Sequence, residues 1–206
     1  MIQTHVSESI VLASNNAGKV REIGQLLAGA HIQVKPQGEY GVSEVAETGL
    51  TFVENAIIKA RHAAQFSGLA AIADDSGLEV DALRGAPGIY SARYAGVGAS
   101  DQDNLSKLLK DLEGLPDAAR TARFQCVLVY LRHASDPTPL ICQGTWEGVL
   151  LTEPRGANGF GYDPIFFVST HGCSSAELDP ATKNQLSHRG QALRQLRARL
   201  EDGACP

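Results

Sequence analysis

The sequence has little of what stabilises a disulfide framework or anchors a chain in a membrane. Its four cysteines, spread over 206 residues, form no Cys-x-x-Cys pair, so neither a zinc site nor a disulfide framework is indicated. They are Cys126, Cys142, Cys173 and Cys205. No stretch approaches the roughly 18 apolar residues of a membrane span, and MIQTHVSESIVLAS at the amino terminus is unlike a secretion signal. These absences predict a cytoplasmic protein that does not bind membranes.

Basic charge is also scarce. The chain has 18 lysines and arginines against 23 aspartates and glutamates, a net charge of -5. Sequence-independent binding of nucleic acid needs a basic surface, so nucleic acid is not an expected partner. Hydrophobic residues, in contrast, make up 43% of the chain, enough for a sizeable core. With no linker-like segment in the sequence, we expect one domain over residues 1–206.

Apolar runs of strand length alternate with segments of helical period, which predicts an α/β fold. Strands are expected in SIVLAS, HIQVKP, LAAIADD, ARFQCVLVYLR and, one or two of them, in PLICQGTWEGVL. The expected architecture is two lobes that share an elongated mixed central sheet with flanking helices, with the active-site cleft between the lobes.

Four helices are predicted between and after these strands. KVREIGQLLAGA is a helix that ends at Gly29, and DQDNLSKLLKDLEG is a surface helix. The long helix in TGLTFVENAIIKARHAAQFSG begins with Thr51 and Glu54 in the Thr-x-x-Glu arrangement of a capping box and ends at Gly68. SHRGQALRQLRARL closes the chain as a helix with its leucines inward, namely Leu193, Leu196 and Leu200.

The segment SNNAGK, residues 14–19, lies between the first strand and the first helix. Helix N-termini present free N–H groups that suit a phosphate, and Lys19 adds a positive charge. The segment is not a P-loop, because Ala13 stands where glycine is required and Val20 where a hydroxyl is required. On its own, it fits equally a phosphate site or a plain turn with Ser14 as helix cap.

Two adjacent aspartates, Asp74 and Asp75, follow an apolar run that should be buried. One interpretation is that one aspartate caps an Asp-Ser-Gly turn and the other faces water. The alternative is a ligand site at a strand end, where a bound Mg²⁺ would relieve the crowded negative charge. Glu47, just before the long helix, could supply a third carboxylate.

Two later segments could contact a ligand. In SHRG, His188 and Arg189 begin a helix at the end that disfavours cations unless an anion or polar ligand is bound, and Lys183 could join them. The alternative is a solvated basic terminus capped by Ser187.

In GFGYDP, Phe160 or Tyr162 could stack on a ligand, or both could be core aromatics around a tight turn. The sequence does not decide whether Arg84 and Arg93 bind phosphate or form ion pairs.

Together, SNNAGK, ETGLTFVENAIIKA, ADDSGLEVDALRGAPGIYSARYAG, FGYDPIFF and SHRGQAL resemble the noncanonical purine nucleoside triphosphate pyrophosphatases, also called inosine triphosphate pyrophosphatases. The resemblance covers nearly the whole chain. It implies hydrolysis of ITP, dITP and XTP to the monophosphate and pyrophosphate, by a homodimer that requires Mg²⁺, for which Mn²⁺ could substitute. The role would be to clear deaminated purines from the nucleotide pool.

The resemblance also implies roles for individual residues. Asp75 would be the proton acceptor and a metal ligand, Glu47 the other metal ligand, and the role of Asp74 stays open. Substrate contacts would come from Ser14, Asn15, Asn16, Ala17, Gly18, Lys19 and Ser76 on the phosphate side, from Phe160, Gly161, Tyr162 and Asp163 around the nucleoside, and from Lys183, His188 and Arg189 at the base. Where many relatives have Thr-Gly, this chain has Ser14-Asn15.

Overall fold

The computed structural model describes residues 8–27 and 32–201, which fold as strands and helices in alternation. The strands within these ranges are β1 (Glu8–Leu12), β2 (Ile32–Pro36), β3 (Ala70–Val80), β4 (Thr121–Leu131), β5 (Leu140–Leu150), β6 (Phe166–Val168) and β7 (Cys173–Ser174). The α-helices are α1 (Ala17–Leu27), α2 (Phe52–Ser67), α3 (Asp101–Asp111), α4 (Pro180–Leu186) and α5 (His188–Glu201). Over the described residues, no helix is long and apolar enough to cross a membrane.

The strands form one mixed sheet in the order β2-β1-β3-β4-β5-β6-β7. Strand β1 is parallel to both β2 and β3, whereas β6 is antiparallel to β5 and β7. This confirms the predicted α/β class with a mixed sheet and accompanying helices. The cleft expected between two lobes stays a prediction.

The chain divides into two compact units. The first contains the described residues up to Asp75 together with 127–143 and those from Gly190 onward, and the second contains 76–126 and 144–189. Strands β3, β4 and β5 each contribute residues to both units. The expectation of one domain over residues 1–206 stays a prediction.

The core of the first unit depends on small side chains. Three fully buried alanines of α2, Ala56, Ala60 and Ala63, belong to one cluster with Ala71 and Ala73 of β3. Their spacing places them on one face of the helix, and their size allows the helix axis to approach the sheet. The ends of α2 follow the sequence signals, since the Thr51 side chain accepts from the Glu54 amide and Gly68 adopts the left-handed conformation at φ 71°.

The core of the second unit is built from large side chains. Leu78 and Val80 of β3 pack in one cluster with Leu105 and Leu108 of α3. The same cluster contains four aromatic rings. Three of them are on strands, where the Phe166 ring centroid lies 4.6 Å from that of Phe124 and 5.1 Å from that of Trp146. These aromatics come from three different strands, so they hold β4, β5 and β6 together.

Strand β3 is longer than the sequence indicated. The interpretation with a turn at Asp-Ser-Gly is wrong, because β3 continues through both aspartates to Val80. Side chains in its second half alternate between the core and polar contacts. Leu78 and Val80 are buried, whereas Glu79 accepts a hydrogen bond from Gln125 Nε2 of β4 at 3.0 Å. Side-chain contacts across the sheet thus outweigh the turn preference of Ser and Gly.

Three further expectations concern the strand count in PLICQGTWEGVL, the inward leucines of α5 and the end of the first helix. PLICQGTWEGVL forms a single strand, β5. Of the three leucines expected inward on α5, Leu193 and Leu196 are buried, whereas Leu200 is half-buried. Gly29, predicted to end the first helix, and Cys205 lie outside the described residues.

Gly148 of β5 offers a direct test of the close packing in the second unit. A Cβ at this position would lie 2.5 Å from Phe166 Cζ and 2.8 Å from the Phe167 carbonyl oxygen. We expect Gly148→Ala to lower the free energy of unfolding by about 1–3 kcal/mol, the usual cost of overpacking. Urea denaturation provides the measurement.

Gly24→Ala is the matched control, because nothing lies within 4 Å of a Cβ at this position in α1. Since alanine is favoured over glycine inside a helix, it should raise the free energy of unfolding by about 0.5–1 kcal/mol. Equal effects of the two substitutions would contradict the packing described at Gly148.

Candidate active site

The two aspartates of β3 face opposite sides of the sheet, as consecutive strand residues must. Asp75 shares its face with Ala71 and Ala73, which pack on α2, and it pairs with Lys59 of that helix. Asp74 pairs instead with Lys19 of α1, and its side chain is fully buried. Each carboxylate therefore has its own lysine from a different helix. Beyond the effect of burial, the charges of Glu47 and Asp74 still raise the pKa of Asp75, which is consistent with the expected crowding of negative charge.

Lys59 joins two carboxylates. Its Nζ lies 2.6 Å from Asp75 Oδ1 and 2.8 Å from Glu47 Oε1. The side chains of Lys59 and Asp75 are 14% and 9% exposed, so this triad, Glu47–Lys59–Asp75, is largely shielded from water. Asp75 Oδ2 is buried and has no hydrogen-bond partner among the described residues. Asp75 is thus fixed through one oxygen while the other is available.

Burial dominates the electrostatics of Asp75. Desolvation raises the pKa of its carboxyl above the ordinary value, and the attraction of Lys59 opposes this without cancelling it. For Lys59 the balance is reversed: burial disfavours the ammonium, but Asp75 and Glu47 together outweigh it and raise its pKa. Lys59 is therefore charged at neutral pH, and Asp75 is a stronger base than an exposed aspartate.

The loop before α1 has the geometry of a helix cap. Asn16 is the capping residue, rather than Ser14: its Oδ1 accepts from the Lys19 amide at 3.0 Å, and its carbonyl accepts from the Val20 amide. Ser14 Oγ accepts from the Asn16 amide at 3.1 Å. The amides of Ala17 and Gly18 in the first turn then have no acceptor within the helix, and this is the arrangement that can bind an anion.

In the second unit, Asp163 holds several predicted site residues together. Its Oδ2 accepts from the Phe160 amide at 2.9 Å and from Lys183 Nζ at 2.7 Å, and its Oδ1 accepts from Ser175 Oγ at 2.8 Å. A side chain at Gly159, where φ is 79°, would overlap the Asp163 carboxylate. Both oxygens of this buried carboxylate are thus used to position the loop that contains Phe160.

The two aromatics of this loop have different surroundings. Tyr162 is buried in the core, and its hydroxyl donates to the Ser91 carbonyl at 2.8 Å. Phe160 is half-buried, with Lys183 Nζ 5.3 Å and Arg189 Cζ 5.7 Å from its ring centroid. Of the two rings, Phe160 is therefore the one placed to stack on a ligand. The Gly161 amide between them donates to Asp101 Oδ2 at 2.8 Å.

The start of α5 is buried rather than solvated. Ser187, His188 and Arg189 are 5%, 6% and 3% exposed, so the alternative of a basic terminus in water is wrong. The His188 ring stacks on Phe124 with centroids 4.8 Å apart, and Arg189 Nη2 donates to Ser76 Oγ at 3.0 Å. His188 and Arg189 are thus held at a helix start with defined partners.

Arg84 and Arg93, which the sequence left undecided, lie elsewhere in the second unit. Arg84 is exposed and ends a 3₁₀ turn in the left-handed conformation at φ 53°. Arg93 Cζ lies 5.2 Å from the Tyr90 ring centroid. Neither observation indicates a phosphate contact.

The fold and these polar clusters define an α/β protein with an acid–lysine triad on one unit and a cation-flanked aromatic on the other. The sequence model of the Ham1 family matches residues 10–199, and the chain belongs to this family. This confirms the resemblance inferred from the motifs.

Individual relatives are similar over nearly the whole chain. A dITP/XTP pyrophosphatase of Vibrio parahaemolyticus is 67% identical over 193 residues, which cover 94% of this chain and 96% of the relative. One of Escherichia coli O157:H7 is 60% identical over 196 residues, covering 95% and 100%. The solved structure of a HAM1 protein from Coxiella burnetii has a TM-score of 0.89 at 54% identity, covering 95% of this chain and 99% of that one.

Sequence reasoning missed Lys59, although a signal was present. A lysine on an exposed helix face is ordinarily solvated, and its partners Glu47 and Asp75 are 12 and 16 residues away. The signal lies in the buried alanines of α2, Ala56, Ala60 and Ala63, which show that Lys59 borders the face turned to the sheet. A charged residue at that border requires a partner in the interior.

Lys59→Met should raise the pKa of Asp75 further. Lys59 is the group that lowers this pKa, by charge and by hydrogen bonding, against the effect of burial. Its removal leaves burial and the repulsion of Glu47 and Asp74, all of which raise the pKa. A titration of the aspartate carboxyl ¹³C resonances by NMR measures the shift. Lys107→Met is the control, since Lys107 pairs with Asp111 on α3 and should leave Asp75 unaffected. A pKa of Asp75 that falls or stays constant in Lys59→Met would be inconsistent with the triad.

Proposed function

We propose that this protein hydrolyses dITP, ITP and XTP to the nucleoside monophosphate and pyrophosphate in the presence of Mg²⁺. The relatives named dITP/XTP pyrophosphatase support the substrate class. The single observation that carries the chemistry is Asp75, a buried carboxylate with one oxygen fixed by Lys59 and the other without a partner. We further propose a cytoplasmic location, as expected for an enzyme of the nucleotide pool.

The residues of the triad fit a magnesium ion. Glu47 and Asp75 converge on one cationic atom, Lys59 Nζ, at 2.8 and 2.6 Å, and Asp75 Oδ2 is a further open acceptor. No group of three or more acidic, histidine or cysteine side chains suited to a metal occurs within the described residues. Two carboxylates suit Mg²⁺, which nucleotide enzymes bind through one or two carboxylates together with substrate phosphates.

In the proposed reaction, the first turn of α1 binds the triphosphate. The amides of Ala17 and Gly18, in the first turn of α1, contact the phosphate oxygens. The ammonium of Lys19, which also pairs with Asp74, donates a further hydrogen bond to them. Glu47 and Asp75 hold Mg²⁺, which supplies charge neutralisation at the phosphates when bound. Lys59 holds the two carboxylates on one ammonium group before the substrate arrives.

Asp75 acts as the general base. A positioned carboxylate accepts a proton from water through its open oxygen, and the water attacks the α-phosphorus in line with the leaving pyrophosphate. Burial raises the pKa of Asp75, which brings its basicity closer to the operating pH, where general bases are most effective. Lys19 offsets the negative charge that develops on the departing pyrophosphate.

The nucleoside contacts come from the loop that contains Phe160 and from Lys183, His188 and Arg189. Phe160 stacks on the base, since its ring is the half-buried one of the loop. Lys183, His188 and Arg189 supply hydrogen-bond donors to the base edge. Asp163, with both oxygens engaged, contributes by holding Phe160 and Lys183 in place.

The test is incubation of the purified protein with dITP and Mg²⁺, followed by ³¹P NMR of the products. We expect dIMP and pyrophosphate, and no turnover after chelation of the metal. Asp75→Asn should lower kcat by at least about two orders of magnitude, the usual scale for a positioned general base, with an unchanged circular dichroism spectrum.

Other products would support other functions. Orthophosphate release would indicate a phosphatase that uses the same carboxylates, and binding without turnover would indicate a nucleotide sensor. Asp111→Asn is the control for the aspartate substitution, because Asp111 pairs with Lys107 at an exposed part of α3 and should leave kcat unchanged. A folded Asp75→Asn protein with normal turnover would refute the assignment of the base.

Base selectivity should follow hydrogen-bond polarity. Hypoxanthine and xanthine present a 6-oxo acceptor, which matches the donors of His188 and Arg189, whereas adenine presents an amino donor at that position. A buried polar site rejects a mismatched ligand by up to about 10⁴-fold. We therefore expect ATP to be nearly inert and Arg189→Ala to reduce the ratio of kcat/KM for ITP to that for ATP.

Arg197→Ala provides the comparison on the same helix, since Arg197 is exposed and pairs with Glu201; its ITP/ATP ratio should equal that of the wild type. If Arg189→Ala also leaves the ratio unchanged, Arg189 does not read the base.

We propose a homodimer, in line with the family resemblance. Static light scattering at micromolar concentration should report twice the chain mass of 21.9 kDa, and the value should persist on tenfold dilution. A mass of one chain at these concentrations would contradict the proposal.

A further inference from the structure

Asn55 connects α2 to the segment that contains Glu47. It is fully buried in the first turns of the helix, and its Oδ1 accepts from the Gly49 amide at 2.8 Å. Gly49 lies two residues after Glu47. The bond therefore attaches the backbone next to Glu47 to the helix that also supplies Lys59.

The attachment is close. A Cβ on Gly49 would lie 2.6 Å from Glu54 Cβ and 2.8 Å from Asn55 Oδ1. Only glycine allows the backbone to approach the helix to this distance without displacing either side chain. Residue 49 is thus held against α2 by a hydrogen bond and by van der Waals contact.

The chain contains a second asparagine at the same helix position. Asn104 lies four residues after Ser100, the cap of α3, just as Asn55 lies four residues after Thr51, the cap of α2. Asn104 also anchors the preceding loop: its Oδ1 accepts from the Ala95 amide at 2.8 Å, and its Nδ2 donates to the Ala92 carbonyl at 3.2 Å.

The two asparagines differ in their second polar atom. Asn55 Nδ2 is buried and has no partner among the described residues, whereas Asn104 uses both atoms. A buried donor without a partner costs stability. Asn55 thus makes its bond to Gly49 although its own Nδ2 is buried without a partner in the described part of the chain. This indicates that the position of the 47–49 segment is important for the protein.

We propose that Asn55 is a positioning residue that fixes the Glu47 carboxylate for metal binding. Residues four apart lie on the same face of a helix. Helix α2 therefore supplies Lys59 directly and, through Asn55, also holds the segment that contains Glu47. Loss of the Asn55 acceptor releases the 47–49 segment and leaves Glu47 mobile with respect to Asp75. The inference rests on the proposed function, because the metal role of Glu47 is itself a proposal.

The test measures Mn²⁺ binding to the nucleotide-free full-length protein by the EPR signal of the unbound ion. We expect Asn55→Ala to weaken binding at least about tenfold, in the same direction as Glu47→Gln. Asn55→Asp retains an acceptor for the Gly49 amide and should bind Mn²⁺ at least as tightly as the wild type. Asn104→Ala, the matched control, removes an equivalent anchor from α3 and should leave Mn²⁺ binding unchanged.

Each alternative outcome contradicts a different statement. If the wild type binds Mn²⁺ and Asn55→Ala binds it equally well, or if Asn55→Asp is weakened as much as Asn55→Ala, the positioning role is refuted while the proposed function stands. If the wild type binds no Mn²⁺ without nucleotide, the role of Asn55 in fixing a metal ligand before substrate binds is refuted, while the proposed function, in which substrate phosphates complete the metal site, stands. Binding lost equally in Asn55→Ala and Asn104→Ala would show a general loss of stability and refute the specific role.

Discussion

The ion pair between Lys59 and Asp75 is the interaction on which the candidate site depends. A carboxylate at this depth would be strongly destabilising without a cation beside it. Lys59 can reach Asp75 because α2 lies close to β3, and α2 lies close because the contact is made by alanines on both sides, Ala60 of the helix and Ala73 of the strand among them. The alanine-rich composition of this helix, which promotes helix formation, therefore also determines the distance between an ammonium group and a buried acid.

Asp163 and Asp75 show how burial produces two different kinds of carboxylate. Asp163 accepts three hydrogen bonds that use both of its oxygens, so it organises a loop. Asp75 has one oxygen engaged and one open. The sequence shows only two aspartates in apolar surroundings, and the difference between them arises from partners that are distant along the chain.

The local features of the fold could be predicted from the sequence, and the long-range ones could not. Thr51, Glu54 and Gly68 fix the ends of α2 through contacts within a few residues, and they behave as their residue types indicate. The extent of β3 and the pairing of Lys59 depend instead on residues brought together by folding. Ser76 and Gly77 carry a turn preference that the strand overrides, because Leu78 and Val80 enter the core of the second unit.

Because Asp74 and Asp75 point to opposite faces of the sheet, the number of residues in β3 before them is constrained. Because side chains alternate along a strand, a deletion or insertion of one residue between Ala70 and Asp74 would exchange the two faces. With a deletion, Ser76 would take the position of Asp75 opposite Lys59, and Asp74 would be left at the buried position of Ala73 without its cation. Single-residue length changes, which many surface loops tolerate, should therefore be absent from this part of the strand in functional variants of the protein.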